Sequence, residues 1–187
     1  GASCGLKPSA SGPMPSAGRV VAVCASPHTG VPKPPQSVIA VGAQGVEGDF
    51  HAGPINRHKK AGPPEPNRRQ VSIVAREATD AVSAALGIRL RPGDLAENVL
   101  VEGLGDLSQL QPGDRLRLGE RVVVEVTGQN KPCKTLAVHH PDIVAAFTGR
   151  RGIVAVVVAT GEVRPGDRIE MATRPAPEAI DKEAAPL

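Results

Sequence analysis

The stretch "DRLRLGERVVVEV", residues 114 to 126, leaves the chain few choices. Leu116 and Leu118 alternate with Arg115 and Arg117, and Val122, Val124 and Val126 resume the alternation beyond Gly119-Glu120. A period of two on both arms, broken at a glycine, is the pattern of an antiparallel hairpin with one buried face. The spacing predicts a two-residue turn at Gly119-Glu120. A lone hairpin cannot bury its apolar face, so further strands are required. "RVVAVCAS" (19–26), "QVSIVA" (70–75), "ENVLVEG" (97–103) and "RIEM" (168–171) supply them. "GIVAVVVA" (152–159) is apolar at every position after its glycine and is expected to be a central strand buried on both faces. Thr160-Gly161 is expected to turn it toward "RIEM".

Pro-Gly-Asp recurs at 92–94, 112–114 and 165–167. Proline presets φ at the first central position of a turn and glycine supplies positive φ at the second, so these triplets read as turns rather than as catalytic aspartates. One helix is well signalled. Ala78, Ala81, Val82, Ala85 and Leu86 fall at i, i+3, i+4, i+7 and i+8, and Gly87 provides the stop. A shorter helix, "PDIVAAF" (141–147), opens with proline and is expected to lay a weakly apolar face on the sheet. Many short strands and one strong helix predict a mainly β, barrel-like domain with a few helical insertions. That domain spans 18–172, between flexible tails at 1–17 and 173–187 that mix Gly, Ser, Pro, Ala and charges.

Composition narrows the function. The only aromatics are Phe50 and Phe147, so the core is aliphatic and no stacking platform exists for nucleic acid. A formal charge of +3 suits a local anion site better than a DNA-wrapping surface. Three cysteines, Cys4, Cys24 and Cys133, do not make a disulfide framework, and a reduced cytoplasmic protein is expected. No membrane partner is expected either, because no apolar run approaches the roughly 20 residues that span a bilayer. The N-terminus has no signal-peptide apolar region.

Three stretches carry candidate chemistry. In "GVEGDFHAG" (45–53) the glycines free the backbone to expose N–H groups, and Asp49 and His51, two apart, would share a side of an extended chain as an acid/base dyad or a supporting pair. A solvated glycine-rich turn is the alternative. The basic loop with Arg57, Lys59, Lys60, Arg68 and Arg69 faces only Glu65 and would suit a phosphate, or would simply be solvated; Arg69, beside a strand, is the member expected to be fixed. In "VTGQNKPCKTL" (126–136), Lys131 and Lys134 flank Cys133 and would favour its thiolate, the form that attacks electrophiles and binds soft metals. Cys24, within an apolar run, reads as structural. His139 and His140 are adjacent and diverge, which argues against zinc. No G-x-S-x-G elbow, P-loop or dinucleotide fingerprint occurs.

Taken in order, "GVEGDFHAG", "RQVSIVAREATD", "RPGDLAENVLVEGLGDLSQLQPGDRLRLG", "VVVEVTGQNKPCKTL" and "GRRGIVAVVVATGEVRPGDRIE" resemble the MOSC family, named for the C-terminal domain of molybdenum cofactor sulfurase. The resemblance runs from about Arg19 to Met171 and is to small stand-alone bacterial-type members. It implies a β-barrel-like domain associated with molybdenum cofactor (molybdopterin). Cys133 matches the family's characteristic cysteine, which would ligate molybdenum or hold sulfur as a persulfide. Gly48, Asp49 and His51 match the glycine-rich motif and would line the same pocket. Arg69, Glu97 and Asn98 match further recurring positions and would surround the cofactor together with Lys131. Pyridoxal phosphate, also mentioned for the family, goes with the fused desulfurase domain of full sulfurases, and no lysine here is nominated for a Schiff base. One departure stands out: relatives often carry an arginine three residues before the cysteine, where this chain has Asn130.

Two functions follow from the resemblance. The first is a redox enzyme that reduces N-hydroxylated compounds with Cys133 as molybdenum ligand and a redox protein as partner. The second is a non-turnover carrier of cofactor or persulfide sulfur served by a cysteine desulfurase. A barrel module that has lost its cofactor is the third and weakest.

Overall fold

The computed structural model describes residues 14–175, so Cys4 and most of the two expected tails lie outside the described residues. The strands are β1 (Ala17–Cys24), β2 (Pro35–Gln36), β3 (Ile39–Gly42), β4 (Gly45–Val46), β5 (Val71–Ala75), β6 (Val99–Glu102), β7 (Arg115–Leu118), β8 (Val122–Gln129), β9 (Ile153–Ala159), β10 (Gly161–Val163) and β11 (Arg168–Thr173). Helices α1 (Arg76–Leu86) and α2 (Ile143–Phe147) and a 3-10 turn (Lys134–Val138) complete the set.

Seven strands pair in the order β11-β7-β8-β9-β5-β6-β1, and β1 returns to β11 through Ala17↔Glu170, Gly18↔Ile169 and Arg19↔Arg168. That last pairing closes the barrel and leaves these strands no free edge. The alternation that marks the hairpin is what fills its inside: Leu116, Leu118, Val122, Val124 and Val126 are all buried, with Val20, Ile73, Val99, Val101, Ile153 and Ile169 from the other staves. Strands β5 and β6 run parallel, the others antiparallel. A parallel pair needs a crossover, and α1, which starts directly after β5, is part of it. Ala78, Thr79 and Val82 form its buried face, and Gly87 ends it with φ 65.

All three Pro-Gly-Asp triplets build one device. Gly93, Gly113 and Gly166 take φ of 88, 94 and 93. The N–H of each Asp returns to the carbonyl of the residue before the proline, at 3.0, 3.0 and 3.1 Å. That preceding residue's own N–H in turn donates to the Asp carboxylate: Arg91 to Asp94 at 2.7 Å, Gln111 to Asp114 at 2.9 Å and Arg164 to Asp167 at 2.8 Å. The aspartates close turns.

Four expectations need correction. Leu118 pairs with Val122, so the hairpin loop has three residues, 119 to 121, and Gly119 enters it with φ 66 while donating its N–H to Arg168 O. Strand β9 is fully buried only over Ile153–Ala155; Val158 is 44% exposed, as on an antiparallel wall whose outer face meets water. Beyond Thr160 the chain does not turn directly into β11. It first forms β10, which pairs with β3 and, through it, with β4 in a small second sheet. Helix α2 packs against α1 and the 3-10 turn, sending Ile143 and Phe147 into the core.

Candidate functional site

The site begins with a buried charge. Asp49 follows β4 in the glycine-rich loop, and its side chain is inaccessible to solvent. Its Oδ1 accepts the Ser26 N–H at 3.0 Å, and its Oδ2 accepts the His51 N–H at 3.1 Å and the Lys33 ammonium at 2.9 Å. Burial alone would raise the Asp49 carboxyl. The nearby His51 imidazole, the charge and hydrogen bond of Lys33 and the Ser26 N–H outweigh it and hold the group well below the usual carboxylate range. Lys33 is itself fully buried. Its second contact is His51 Nδ1 at 2.9 Å. The other ring nitrogen of His51, Nε2, lies 2.8 Å from His58 Nε2.

The expected loop chemistry changes in detail. The Asp49–His51 segment is a turn, not an extended strand; the two side chains both contact Lys33 and come within 3.5 Å of each other. Most of the loop's N–H groups are spent within the protein. Those of Glu47, Asp49, Phe50, Ala52 and Gly53 donate to backbone carbonyls, and that of His51 donates to Asp49. Gly48 is exposed, with φ 79 and open space where a Cβ would stand. In the basic loop, Arg57 stacks on Phe50 at 4.1 Å and Lys59 pairs with Glu65 at 2.9 Å. Arg69 is fixed as expected: its guanidinium donates to Asn130 Oδ1 at 3.0 Å. That bond spans a narrow cleft of about 30 Å³ lined by His51, Arg69, Ser72, Ala96, Asn130 and Val154. Roomier hollows of about 560 and 620 Å³ lie elsewhere, lined by charged groups such as Arg121, Arg164, Arg76 and Asp80, with no such constellation.

Cys133 stands three residues beyond Asn130, exposed, as the N-cap of the 3-10 turn. Its thiol is drawn below the ordinary cysteine value, first by the Thr135 hydroxyl and then by the Thr135 N–H, with further help from the Arg151 charge and the Lys134 N–H. The lysine side chains that suggested a thiolate from the sequence are therefore not its source. Arg151, at the start of β9, is buried and reaches from Leu95 O (2.7 Å) to Lys131 O (3.2 Å). Its Nε is buried with no hydrogen-bond partner among the described residues. Lys131 contributes that carbonyl and sends an exposed side chain outward. Cys24, by contrast, is buried and its thiol is pushed up to about 12 by burial and by the Glu97 charge.

Glu97 and Asn98 spend their polar atoms on the protein. Glu97 accepts the N–H groups of Gly93 (2.6 Å) and Leu95 (3.1 Å), and burial raises its carboxyl. Gly93 in turn accepts the Lys33 N–H at 2.9 Å, and a Cβ on Gly93 would collide with Lys33 O. Glu97 thus braces the turn that seats Lys33. Asn98 ties three staves together, accepting from Ser72 N–H at 3.1 Å and donating to Cys24 O at 3.2 Å.

Sequence reasoning missed Lys33, His58 and Arg151. Lys33 lies in "VPKPP", which reads as loop; only a demand for a counter-ion to Asp49 would have found it. The family profile described as MOSC domain matches residues 47–170. The chain belongs to the MOSC domain family. Among curated relatives, YuaD of Bacillus subtilis, named for metal-sulfur cluster biosynthesis, is 35% identical over 148 residues, covering 68% of this chain and 76% of its own. The crystal structure of the Bacillus subtilis YuaD protein superposes with a TM-score of 0.73 at 28% identity, over 82% of this chain and 94% of that one. YiiM from Geobacillus stearothermophilus shares the fold, with a TM-score of 0.60 at 23% identity over 87% of this chain and 76% of that one. MOSC domains are associated with molybdenum cofactor. This chain fits such a group: an exposed, acidified thiol stands beside a buried arginine whose Nε has no partner among the described residues.

Proposed function

We propose that this MOSC protein binds molybdenum cofactor and reduces N-hydroxylated compounds, with Cys133 as the metal's protein ligand. The observation that carries the reading is Cys133 itself, exposed and drawn toward thiolate by Thr135 and Arg151. Arg69 and Arg151 would hold the anionic pterin phosphate, Arg69 at the rim of the cleft and Arg151 beneath Lys131. The cofactor, when bound, supplies two-electron redox chemistry. Reduction of R–NH–OH to R–NH2 breaks one N–O bond, takes up two electrons and two protons and releases water. A reduced redox partner protein supplies the electrons and solvent the protons. The chain's own task is to receive the N–O group at the mouth of the cleft, beside Arg69, and to present His51 to it.

The test is reduction of a hydroxylamino purine by cofactor-loaded protein with a chemical electron donor. Turnover that disappears in Cys133→Ser is expected. Loaded protein that binds cofactor but does not turn over would overturn the enzyme reading. A second reading has its own support, because the relative YuaD is named for metal-sulfur cluster biosynthesis. In that reading Cys133 carries sulfur as a persulfide received from a cysteine desulfurase. A mass gain of one sulfur atom at Cys133 after incubation with a desulfurase, without reductase turnover, would favour it.

A further inference from the structure

The hydrogen-bond chain Lys33–His51–His58 dictates where its protons sit. An ammonium group donates and has no lone pair to accept with. His51 Nδ1 lies 2.9 Å from Lys33 Nζ and 3.5 Å from Asp49 Oδ2, so the shorter contact, to the ammonium, assigns it as the unprotonated, accepting nitrogen. A neutral His51 then carries its proton on Nε2, which points at His58 Nε2, 2.8 Å away. His58 in turn must accept at Nε2 and keep its own proton on Nδ1. Asp49 holds the first member in place, because its Oδ2 binds both Lys33 Nζ and the His51 N–H.

We propose that Lys33 is a positioning residue that locks His51 as a hydrogen-bond donor at the cleft, and that exposed His58 occupies the acceptor position a substrate oxygen takes. For the identity of that substrate the proposal rests on the reductase reading: the incoming acceptor is the N–O oxygen of an N-hydroxylated compound.

The surroundings agree. His51 lines the cleft, so the bond to His58 forms at its wall. His58 belongs to the exposed loop before β5 and touches Phe50 edge-on at 5.9 Å, with its N–H on Asn56 Oδ1 at 3.0 Å. The titratable group that faces it is His51 from the glycine-rich loop, and the cations are Arg69 from the approach to β5, Lys33 from the segment before β2 and Lys60 from its own loop. Partial burial first, and then the cations Arg69, Lys33 and Lys60, lower the His58 imidazole, which favours its neutral, accepting form. Neutral His58 can leave without carrying a charge with it. The cleft already presents a second donor, Arg69, paired with Asn130. An N-hydroxylated base offers an oxygen acceptor to such donors, whereas the dehydroxylated product does not. The lock therefore favours substrate over product.

The deciding experiment is ¹⁵N NMR of histidine-labelled protein, which needs neither cofactor nor substrate. The expected spectra place the His51 proton on Nε2 and the His58 proton on Nδ1, with the His51 Nε2–H protected from exchange. His58→Ala is expected to leave the His51 tautomer unchanged and to speed exchange of that proton at least tenfold. Lys33→Met with Asp49→Asn, which removes the buried pair together, is expected to release His51 into a tautomer mixture. On loaded enzyme, His58→Ala should lower KM for the hydroxylamino purine severalfold with little change in kcat. A His51 proton found on Nδ1 in the wild type overturns the lock, whatever the activity. Unchanged exchange in His58→Ala, or a raised KM, overturns the role of His58. If the tautomers are as stated and loaded protein shows no turnover, the reductase reading fails and the lock stands.

Discussion

Replacing Lys33 with methionine tests the buried pair at the foot of the site. Methionine matches the length and apolar volume of the lysine stem, so little space is lost. The ammonium is lost, and Asp49 is left buried with two of its hydrogen bonds, from Ser26 and His51 N–H groups, intact. Breaking a buried pair on one side costs about 3–5 kcal/mol, and the two remaining bonds place this case near 3. With a urea m-value of about 2 kcal/mol/M, the unfolding midpoint should fall by roughly 1.5 M at pH 7. The pH dependence carries a sign. Asp49's carboxyl is held below its ordinary value, so the pair's stabilisation is fully present above the unfolded carboxyl range, about pH 4, and fades as the pH falls through the folded value. In Lys33→Met that stabilisation is absent, so the gap between wild type and variant should be widest above about pH 4 and narrow as the pH falls below it. Adding Asp49→Asn should recover a large part of the loss. A midpoint within 0.3 M of wild type, roughly 0.6 kcal/mol on the same m-value, or a deficit independent of pH, would refute the reasoning.

Thr135→Val should remove the hydroxyl that draws Cys133 toward thiolate, moving the pH midpoint of iodoacetamide labelling upward and slowing labelling at pH 7. In the same experiment Cys24 should stay unlabelled in the native protein, being buried with its thiol pushed up to about 12; labelling of Cys24 before Cys133 would contradict the placement of both. Gly152→Ala should cost about 3 kcal/mol in denaturant unfolding, because Gly152 has φ 97 and its added Cβ would strike Ile73 O where β9 passes β5. A loss below about 1 kcal/mol would mean that the two staves are not held that closely.

Much of the barrel was legible because one-sided burial writes a period of two into each stave. The hairpin's leucines and valines are the clearest case. Strands β2, β4 and β10 were not legible, since elements of two or three residues such as Pro35–Gln36 are too short to show a period, and the four-residue β3 was not singled out. The parallel pairing of β5 with β6 was equally hidden, because a period of two does not report strand direction. At the site, Asp49, His51, Arg69 and Cys133 carried local signals: glycines, a strand edge, and a thiol among polar neighbours. Lys33 and Arg151 carried none, because a lysine between prolines and an arginine ahead of an apolar strand both look solvated until the fold buries them. The acidity of Cys133 was right in direction from sequence and wrong in cause. The nearby lysines are visible in one dimension, whereas Thr135 and Arg151 act through geometry.

The most direct measurement is the molybdenum and pterin content of protein purified from a cofactor-competent host, wild type beside Cys133→Ser and Cys24→Ser. Near one molybdenum and one pterin per wild-type chain, retained in Cys24→Ser and lost in Cys133→Ser, is the predicted result. Wild-type protein free of both, or cofactor retained in full by Cys133→Ser, would contradict the assignment of Cys133.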